Sequence, residues 1–308
     1  MREAWLRLGR LCAALWLIVS LTFFAVYALP GDPARVILGQ RATPESLEAF
    51  RQTQGLNDPL AMQYFHFIAK ATQLEFGDSL VQRRPVADLV SERTHQTTLL
   101  VIAAIGVVVF FSIILPLLIA TAGRLSWLTN MDRFWGTVAA APPYVLAVLL
   151  LMIFSEWLGW VTAIFDPKDL FSWILPAFTL AAYPTAIVLK LFHQGIEAAQ
   201  TDLYVTRARA MGFSDASILV TEILPNIITP ALAALANNFA FFVTGTLFVE
   251  VVFGVTGLGG LTYEAIRNND LPLLMGLSVV FAAVIIIIST SLEIALILLN
   301  PRLRSHHG

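Results

Sequence analysis

Side chains with obvious chemical reactivity are scarce in this sequence of 308 residues, and they form no familiar catalytic pattern. A phosphate-binding loop of the Gly-x-x-x-x-Gly-Lys-Ser/Thr type is absent, so the chain has no P-loop with which to hydrolyse ATP. The serine-hydrolase motif Gly-x-Ser-x-Gly is absent too. A single cysteine, Cys12, excludes an intrachain disulfide and a cysteine metal cluster, and His306-His307 fits a polar tail. We therefore expect a non-catalytic protein that holds no metal and no cofactor of its own.

A few polar side chains interrupt an apolar stretch near residue 240. Asn237 and Asn238 are adjacent, and Thr244 and Thr246 follow them. Polar groups are costly where they face lipid, so such residues often line a substrate pathway. The alternative is a set of hydrogen bonds between helices, worth about 0.6–2 kcal/mol each, that only hold a bundle together. The sequence leaves both interpretations open.

The composition places these residues in a membrane. Hydrophobic residues make up 57% of the chain and charged residues 13%, and the mean hydropathy is +0.76. Soluble domains carry about 25% charged residues. A net charge of -2 with a pI near 6.2 gives no basic face for nucleic acid, so we expect none to bind. A spanning helix needs about 20 apolar residues, and six stretches qualify: 11–29, 98–122, 135–156, 173–191, 227–248 and 273–299.

The distribution of Lys and Arg predicts the orientation. With the N-terminus in the cytoplasm, the short outer loops carry only Lys168 and Arg267, and the inner segments carry all ten of the others outside 30–97. We therefore predict that both termini are cytoplasmic and that residues 30–97 form a small folded external segment. A competing interpretation makes residues 1–28 a signal peptide cleaved after Val26-Tyr27-Ala28, but its apolar run is longer than the usual 7–15 residues.

The stretch 195–226 is neither apolar enough to span a membrane nor similar to a loop. Its first half is rich in alanine, which favours helix, and Gly212 allows a turn with positive φ. Asp215 is suited to accept backbone hydrogen bonds at the start of a second helix. We predict a helix, a sharp turn and a short amphipathic helix at the cytoplasmic membrane surface. A passive surface anchor is the alternative role for such helices.

Particular motifs give the chain a family resemblance. The run Tyr204-Val205-Thr206-Arg207-Ala208-Arg209-Ala210-Met211-Gly212-Phe213-Ser214 resembles the cytoplasmic loop with a Glu-Ala-Ala motif in bacterial ABC importer permeases. The chain is most similar to the "B" type subunit of the oligopeptide, dipeptide and nickel family. The similarity extends over nearly the whole chain, through Leu224-Pro225-Asn226, Pro30-Gly31-Asp32-Pro33, Gly55-Leu56-Asn57-Asp58-Pro59, Phe76-Gly77-Asp78-Ser79, Glu250-Val251-Val252-Phe253, Gly257-Leu258-Gly259, Asp270-Leu271-Pro272 and Asn300-Pro301-Arg302.

Several positions depart from the family pattern. Thr206-Arg207-Ala208 stands where the general motif has Glu-Ala-Ala, Val255-Thr256 replaces a frequent Trp-Pro, and Asn300 replaces Asp. These departures concern the choice of substrate and not the family.

The resemblance implies an all-α fold with six transmembrane helices, the type I ABC importer permease fold. It implies one transmembrane domain over 1–308, with an external segment at 30–97, a five-helix core at 98–299 and a coupling region at 195–226. The implied partners are a homologous second permease, two cytoplasmic ATPases that hold ATP and Mg²⁺, a periplasmic solute-binding protein and membrane lipid. The implied location is the bacterial inner membrane.

The resemblance also assigns the ATPase contacts, whereas the pathway candidates follow from the polarity of their side chains. Arg207, Ala208, Arg209, Gly212, Phe213 and Ser214 are expected to contact an ATPase, and Asn237, Asn238, Thr244 and Thr246 are the pathway candidates. The expected substrate is a short peptide, with nickel or another metal chelate as the alternative. A channel or carrier that works without an ATPase is a second class of function that the residues alone leave open.

Overall fold

The computed structural model describes residues 2–28, 33–39, 42–53, 55–73, 75–162 and 164–299. Pro30-Gly31-Asp32, Asn300-Pro301-Arg302 and His306-His307 lie outside these residues. Within them the chain is predominantly helical, as predicted. The α-helices are α1 Arg2–Ala28, α2 Pro33–Leu38, α3 Pro44–Thr53, α4 Leu60–Thr72, α5 Val86–Val109, α6 Leu115–Thr121, α7 Leu125–Ala139, α8 Pro143–Leu151, α9 Ile174–Ala199, α10 Leu203–Ala210, α11 Asp215–Ile218, α12 Leu224–Asn237, α13 Phe239–Phe253, α14 Leu258–Arg267 and α15 Leu271–Leu299.

Two π-helical turns join consecutive helices just before a proline. Phe110–Ile114 connects α5 to α6, and Leu219–Ile223 connects α11 to α12. The N–H of Leu115 donates to the carbonyl five residues earlier, that of Phe110, and the next residue is Pro116. Because proline has no N–H and crowds the preceding turn, a wider turn lets the helix continue through it. The chain therefore keeps long continuous helical runs despite its internal prolines.

Four helical runs are long and apolar enough to cross a membrane: Val86–Thr121, Leu170–Ala199, Asp215–Asn237 and Leu271–Leu292. The total reaches six when each of two bent helix pairs counts as one span, and Leu11–Phe24 is a shorter apolar helix. The predicted spans 98–122, 173–191 and 273–299 overlap single helical runs of this set. Six spans therefore stay a prediction, whereas the described residues are predominantly helical and include four to six candidate membrane helices.

Two of the predicted spans contain a break. In the predicted span 135–156, α7 ends at Ala139 and α8 begins at Pro143, and the two helices are bent by 99°. Pro142 has extended backbone with ψ 142°, which a residue before proline prefers. The predicted span 227–248 crosses the joint between α12 and α13, where Asn238 leaves helical geometry with ψ 5°.

The chain divides into two compact units, residues 1–95 with 256–287, and residues 96–255 with 288–308. The boundary at 95 lies close to the predicted end of the external segment at 97. The predicted division into an external segment and a five-helix core stays a prediction, and residues 256–287 group with the first unit. The physical reason is a shared apolar cluster, in which residues early and late in the chain are buried together: Val86, Leu89, Leu258, Leu261, Ala265, Leu273 and Leu277.

In the first unit, α4 packs along α1. The hydroxyl groups of Ser20 and Tyr64 are 2.7 Å apart, and the ring of Phe23 contacts Tyr64 and Phe67 at centroid distances of 5.5 Å. Aromatic contacts of this kind add about 0.5–1.5 kcal/mol to the burial of the rings. Helix α4, which lies in the predicted external segment, therefore packs on the first apolar helix.

The second unit is organised around α9, which packs against α7, α8, α12 and α13. Glycines allow the closest approaches. A Cβ at Gly195 would lie 2.8 Å from Cγ2 of Ile227, and a Cβ at Gly245 would lie 2.7 Å from Cδ1 of Leu180. Small residues at helix contacts are the usual way in which membrane helices pack closely.

Candidate coupling segment and pathway residues

The segment 195–226 contains a helix, a turn and the beginning of a second helix. The second helix is not the short surface helix that was predicted, because α11 continues into α12 and the run Asp215–Asn237 is long and apolar enough to cross a membrane. The end of α9 leads to α10, and α10 is followed by a turn at Met211-Gly212 and by α11. Gly212 has φ +86°, a conformation that glycine adopts without the steric cost that a Cβ imposes. The prediction of a glycine turn at this position is confirmed.

The second helix begins differently from the prediction. The hydroxyl of Ser214, not the carboxylate of Asp215, accepts the N–H of Ser217 at 3.3 Å. Serine is as good an N-cap as aspartate, and it stands one residue earlier. Asp215 instead accepts a hydrogen bond from Nε of Arg209 at 3.0 Å and closes the turn as an ion pair.

The two arginines of α10 therefore have different environments. Arg209 is already paired with Asp215 across the turn. Arg207 is exposed and has no hydrogen bond or ion pair with any residue that the structure describes. A free guanidinium keeps all five N–H donors for an external acceptor, so Arg207 is the better placed of the two to bind a partner.

Exposed apolar side chains surround Arg207 along the same segment. Leu203 is 87% exposed, Met211 60% and Phe213 54%. Val205 and Ala208 point the other way and are buried in the core of the second unit. The methyl group of Ala208 is therefore unavailable to a partner in this conformation, unlike its neighbours in the predicted contact set. The predicted contact set did not include Leu203 and Met211. The spacing of Val205 and Ala208, three residues apart, was the available signal, because residues at this spacing share one face of a helix and Leu203 and Met211 lie off that face.

Tyr204 lies at the edge of this surface. Its partial burial, reinforced by the nearby carboxylate of Asp202, raises the pKa of the phenol above its usual value. Its hydroxyl therefore stays protonated throughout the physiological range, so Tyr204 adds no charge to the segment.

The four pathway candidates are distributed on both sides of the joint between α12 and α13. Nδ2 of Asn238 donates to the Ala234 carbonyl at 2.8 Å, Thr244 donates to the Ala240 carbonyl at 3.0 Å, and Thr246 donates to the Val243 carbonyl at 2.7 Å. Thr246 is fully buried, whereas Asn237 and Thr244 are exposed. Of the four, Asn237 and Thr244 are therefore the two with exposed side chains.

A buried carboxylate in α13 was not predicted as part of any site. Glu250 is fully buried, and Oε1 accepts a 2.6 Å hydrogen bond from the hydroxyl of Thr97 on α5. The sequence signal was present, because an acidic residue inside an apolar run marks a group that needs an internal partner. The sequence could not identify Thr97 as its partner, because the two residues are 153 positions apart.

These features define a polytopic α-helical membrane protein in which the exposed helix α10 and the turn after it carry exposed apolar side chains and an arginine that is unpaired among the described residues. Comparison with known proteins identifies the group to which it belongs. The profile described as "Binding-protein-dependent transport system inner membrane component" matches residues 112–305, and the profile for the N-terminal part of such membrane components matches residues 6–101.

Individual relatives match over almost the full length. The glutathione transport system permease protein GsiC of Escherichia coli K12 is 32% identical over 302 residues, covering 97% of each chain. The proteins of the same name from Shigella dysenteriae serotype 1 and Shigella flexneri serotype 5b give the same identity and coverage. The chain belongs to the family of inner-membrane components of binding-protein-dependent transport systems.

Membership in this family has direct consequences. The chain is an ABC transporter permease of the inner membrane, a subunit type that is generally non-catalytic. A transport system of this kind implies ATPase subunits, a periplasmic binding protein and a second permease.

Proposed function

We propose that this chain is the "B" type permease of an importer for short peptides, including glutathione-like tripeptides. It forms the substrate pathway together with a homologous second permease, and a periplasmic binding protein delivers the peptide. The observation that carries the proposal is the near full-length similarity to a permease of a glutathione transport system. Nickel or another metal chelate is the alternative substrate.

We further propose that the surface around Arg207 is the docking site for one ATPase. The exposed side chains of Leu203, Met211 and Phe213 supply apolar area, and Arg207 supplies a free charge. Interfaces commonly combine a buried aromatic anchor with arginine. Two ATPases that close on nucleotide move such docked helices and shift the permease between inward-open and outward-open states, since each ligand favours the state that it binds more tightly. A self-sufficient channel or carrier would have no use for such a surface.

The Asn237 and Thr244 side chains are the proposed pathway contacts of this chain, with Asn238 and Thr246 supporting the joint between α12 and α13. A joint between two short helices is a site where a bundle can bend between two states. The proposed orientation places both termini in the cytoplasm and residues 30–97 outside.

Reconstitution tests the proposal. This chain is assembled in liposomes with its partner permease, the ATPases and the binding protein, and ATP-dependent uptake is measured for dialanine, glutathione and a nickel–histidine chelate. We expect uptake of the two peptides and stimulation of ATP hydrolysis by the loaded binding protein. Uptake of the nickel chelate alone would assign the second candidate substrate. Uptake by liposomes that contain only this chain would contradict the importer.

A further inference from the structure

The first unit contains a cavity that none of the roles above uses. Its volume is about 830 Å³, and it lies between α4, the turn at residues 77–85 and the beginning of α15. Phe67, Phe76, Leu271 and Met275 contribute apolar wall. Sites for small molecules have volumes of roughly 300–1,000 Å³ and mostly apolar linings with a few polar groups. The cavity therefore has the size of a small-ligand site.

Charged side chains of both signs line the same cavity. Lys70 and Arg83 are cationic, and Glu75 and Asp78 are anionic. All four are exposed, and none of the four side chains forms a hydrogen bond or ion pair with another residue of the described ranges. In contrast, Arg84, the neighbour of Arg83, is paired with Glu92 at 3.1 Å. Among the described residues, the cavity thus offers a ligand two unpaired cations and two unpaired anions.

The turn that carries Arg83 is held in a strained conformation. Arg83 has φ +52°, one of two positive values among the non-glycine residues that the structure describes. Its N–H donates to the Ser79 carbonyl at 2.9 Å, and the Ser79 hydroxyl donates to Oδ2 of Asp270 at 2.6 Å. Ser79 and Asp270 are both buried. Strained residues that the surrounding structure fixes in this way concentrate at ligand-binding positions.

We propose that this cavity is a receiving site for a short zwitterionic peptide. Arg83 and Lys70 hold the peptide carboxylate, Glu75 and Asp78 hold its ammonium group, and the apolar wall accepts its side chains. A ligand with one sign of charge would pair with only two of the four groups, so a zwitterion is the complementary chemistry. The inference rests on the proposed function, since it gives the same substrate class a first site on the predicted external segment.

Binding to the full-length chain tests the inference. The chain is assembled with its partner permease and ATPases in nanodiscs without the binding protein, and the dissociation constants of radiolabelled dialanine and glutathione are measured. We expect saturable binding, weakened at least about tenfold by Arg83→Gln, because a lost charge-assisted hydrogen bond has an effect of this order. Arg84→Gln is the matched control, and we expect it to leave binding unchanged. The C-terminal amide of dialanine should bind weakly and respond little to Arg83→Gln.

Substitution by glycine separates binding from turn structure. Glycine adopts φ +52° without strain, so Arg83→Gly should preserve or raise the thermal stability of the assembly while peptide binding falls as in Arg83→Gln. If Arg83 only shaped the turn, Arg83→Gly would bind peptide normally. Normal binding by both Arg83 variants, or no saturable binding by the wild type, would overturn the receiving site. ATP-dependent uptake without peptide binding in nanodiscs would refute the receiving site and leave the proposed importer intact. Peptide binding that depends on Arg83 without ATP-dependent uptake would support the receiving site and contradict the proposed importer.

Discussion

Each unit contains a buried acidic side chain that accepts a hydrogen bond from a residue far away in the sequence. Glu250 accepts the hydroxyl of Thr97, 153 residues away, and Asp270 accepts that of Ser79, 191 residues away. Both distances are 2.6 Å, near the short end of the range for O–H···O hydrogen bonds. A buried carboxylate without partners is strongly destabilising, so each acid enforces the pairing that satisfies it. Single residues thus fix how these helices meet.

We expect Thr97→Val to destabilise the protein by about 1–3 kcal/mol, because the isosteric valine removes a donor from a buried carboxylate. The measurement is the thermal or denaturant midpoint of the purified chain in detergent. Thr137→Val is the matched control, since that exposed hydroxyl donates to the Arg133 carbonyl of its own helix. Equal midpoints for the two variants would show that the bond to Glu250 contributes nothing to stability.

Arg207 and Arg209 should respond differently to charge reversal. Arg207→Glu removes a free charge from the proposed docking surface, and we expect the affinity for the ATPase to fall at least about fivefold, or about 1 kcal/mol. The loss should shrink at high salt, because exposed charges are screened. Arg209→Glu should in addition loosen the turn, since it places a second carboxylate beside Asp215.

Co-purification of the ATPase and uptake, measured in the same membranes at two salt concentrations, check this pair of variants. Thr206→Glu introduces charge at an exposed neighbouring position without removing an arginine, so it controls for added negative charge. Normal ATPase binding by Arg207→Glu would leave a passive membrane anchor as the better interpretation of the segment.

At the scale of elements, the close approach of α9 to α12 depends on a residue without a side chain. The Cβ of an alanine at Gly195 would lie 2.8 Å from Cγ2 and 3.1 Å from Cβ of Ile227. We expect Gly195→Ala to destabilise the chain by about 1–3 kcal/mol through overpacking. Ile227→Ala in the same chain should recover part of that loss, because it removes the atom with which the new Cβ collides.

The midpoint of detergent unfolding for the two single variants and the double variant gives the coupling between the sites. Gly136→Ala on α7 is the control, since nothing lies within 4 Å of a Cβ there, and it should be neutral or stabilising. If the changes in unfolding free energy from Gly195→Ala and Ile227→Ala simply add in the double variant, the two positions are not in contact.

The turn at Gly212 is a second element-scale constraint. Gly212 has φ +86°, and the space that a side chain would occupy there is open. The obstacle to Gly212→Val is therefore the backbone conformation alone, at a cost of about 1–3 kcal/mol. We expect insertion and overall folding to be retained while ATPase docking and uptake fall together. Gly212→Asn, a residue that tolerates positive φ better, should retain more uptake than Gly212→Val. Equal uptake by both variants and the wild type would show that the conformation of the Gly212 turn is not needed for coupling to the ATPase.

Local composition was sufficient to predict some of these elements. The apolar runs at 98–122, 173–191 and 273–299 predict helices because hydropathy needs no knowledge of tertiary partners. The Gly212 turn was predictable because glycine adopts a positive φ, here +86°, more readily than any other residue. The break in the predicted span 135–156 was missed because hydropathy alone does not register that Pro142-Pro143 interrupts helical hydrogen bonds.

Other features depend on groups that are distant in sequence. The Thr97–Glu250 and Ser79–Asp270 bonds follow from tertiary packing, and no local pattern names the partner of either acid. Ser214 rather than Asp215 is the N-cap because the helix begins one residue earlier than predicted, and both residue types are good N-caps. The burial of Ala208 required the register of α10 against the core, which the motif alone does not give.

At the scale of the whole molecule, the chain must satisfy every backbone group that enters hydrocarbon, and helices do so internally. The breaks at Pro142 and Asn238 are therefore acceptable at membrane depth only where protein covers them or where they line a cavity. The number of crossings is the property that decides which side each segment occupies. Four continuous helices and two bent pairs allow four to six spans, so orientation must be measured.

We expect an even number of crossings that places 30–97 and the loop at 158–169 outside and the segment 200–215 inside. After Cys12→Ser, single cysteines at the exposed positions Asn57, Thr162 and Thr201 are tested in intact cells with a membrane-impermeant maleimide. Asn57→Cys and Thr162→Cys should be labelled from outside, whereas Thr201→Cys should react only after the membrane is opened, which serves as the control for accessibility. Labelling of Thr201→Cys in sealed cells would place Arg207 on the side that lacks ATP, and it would refute the orientation and the ATPase docking surface together.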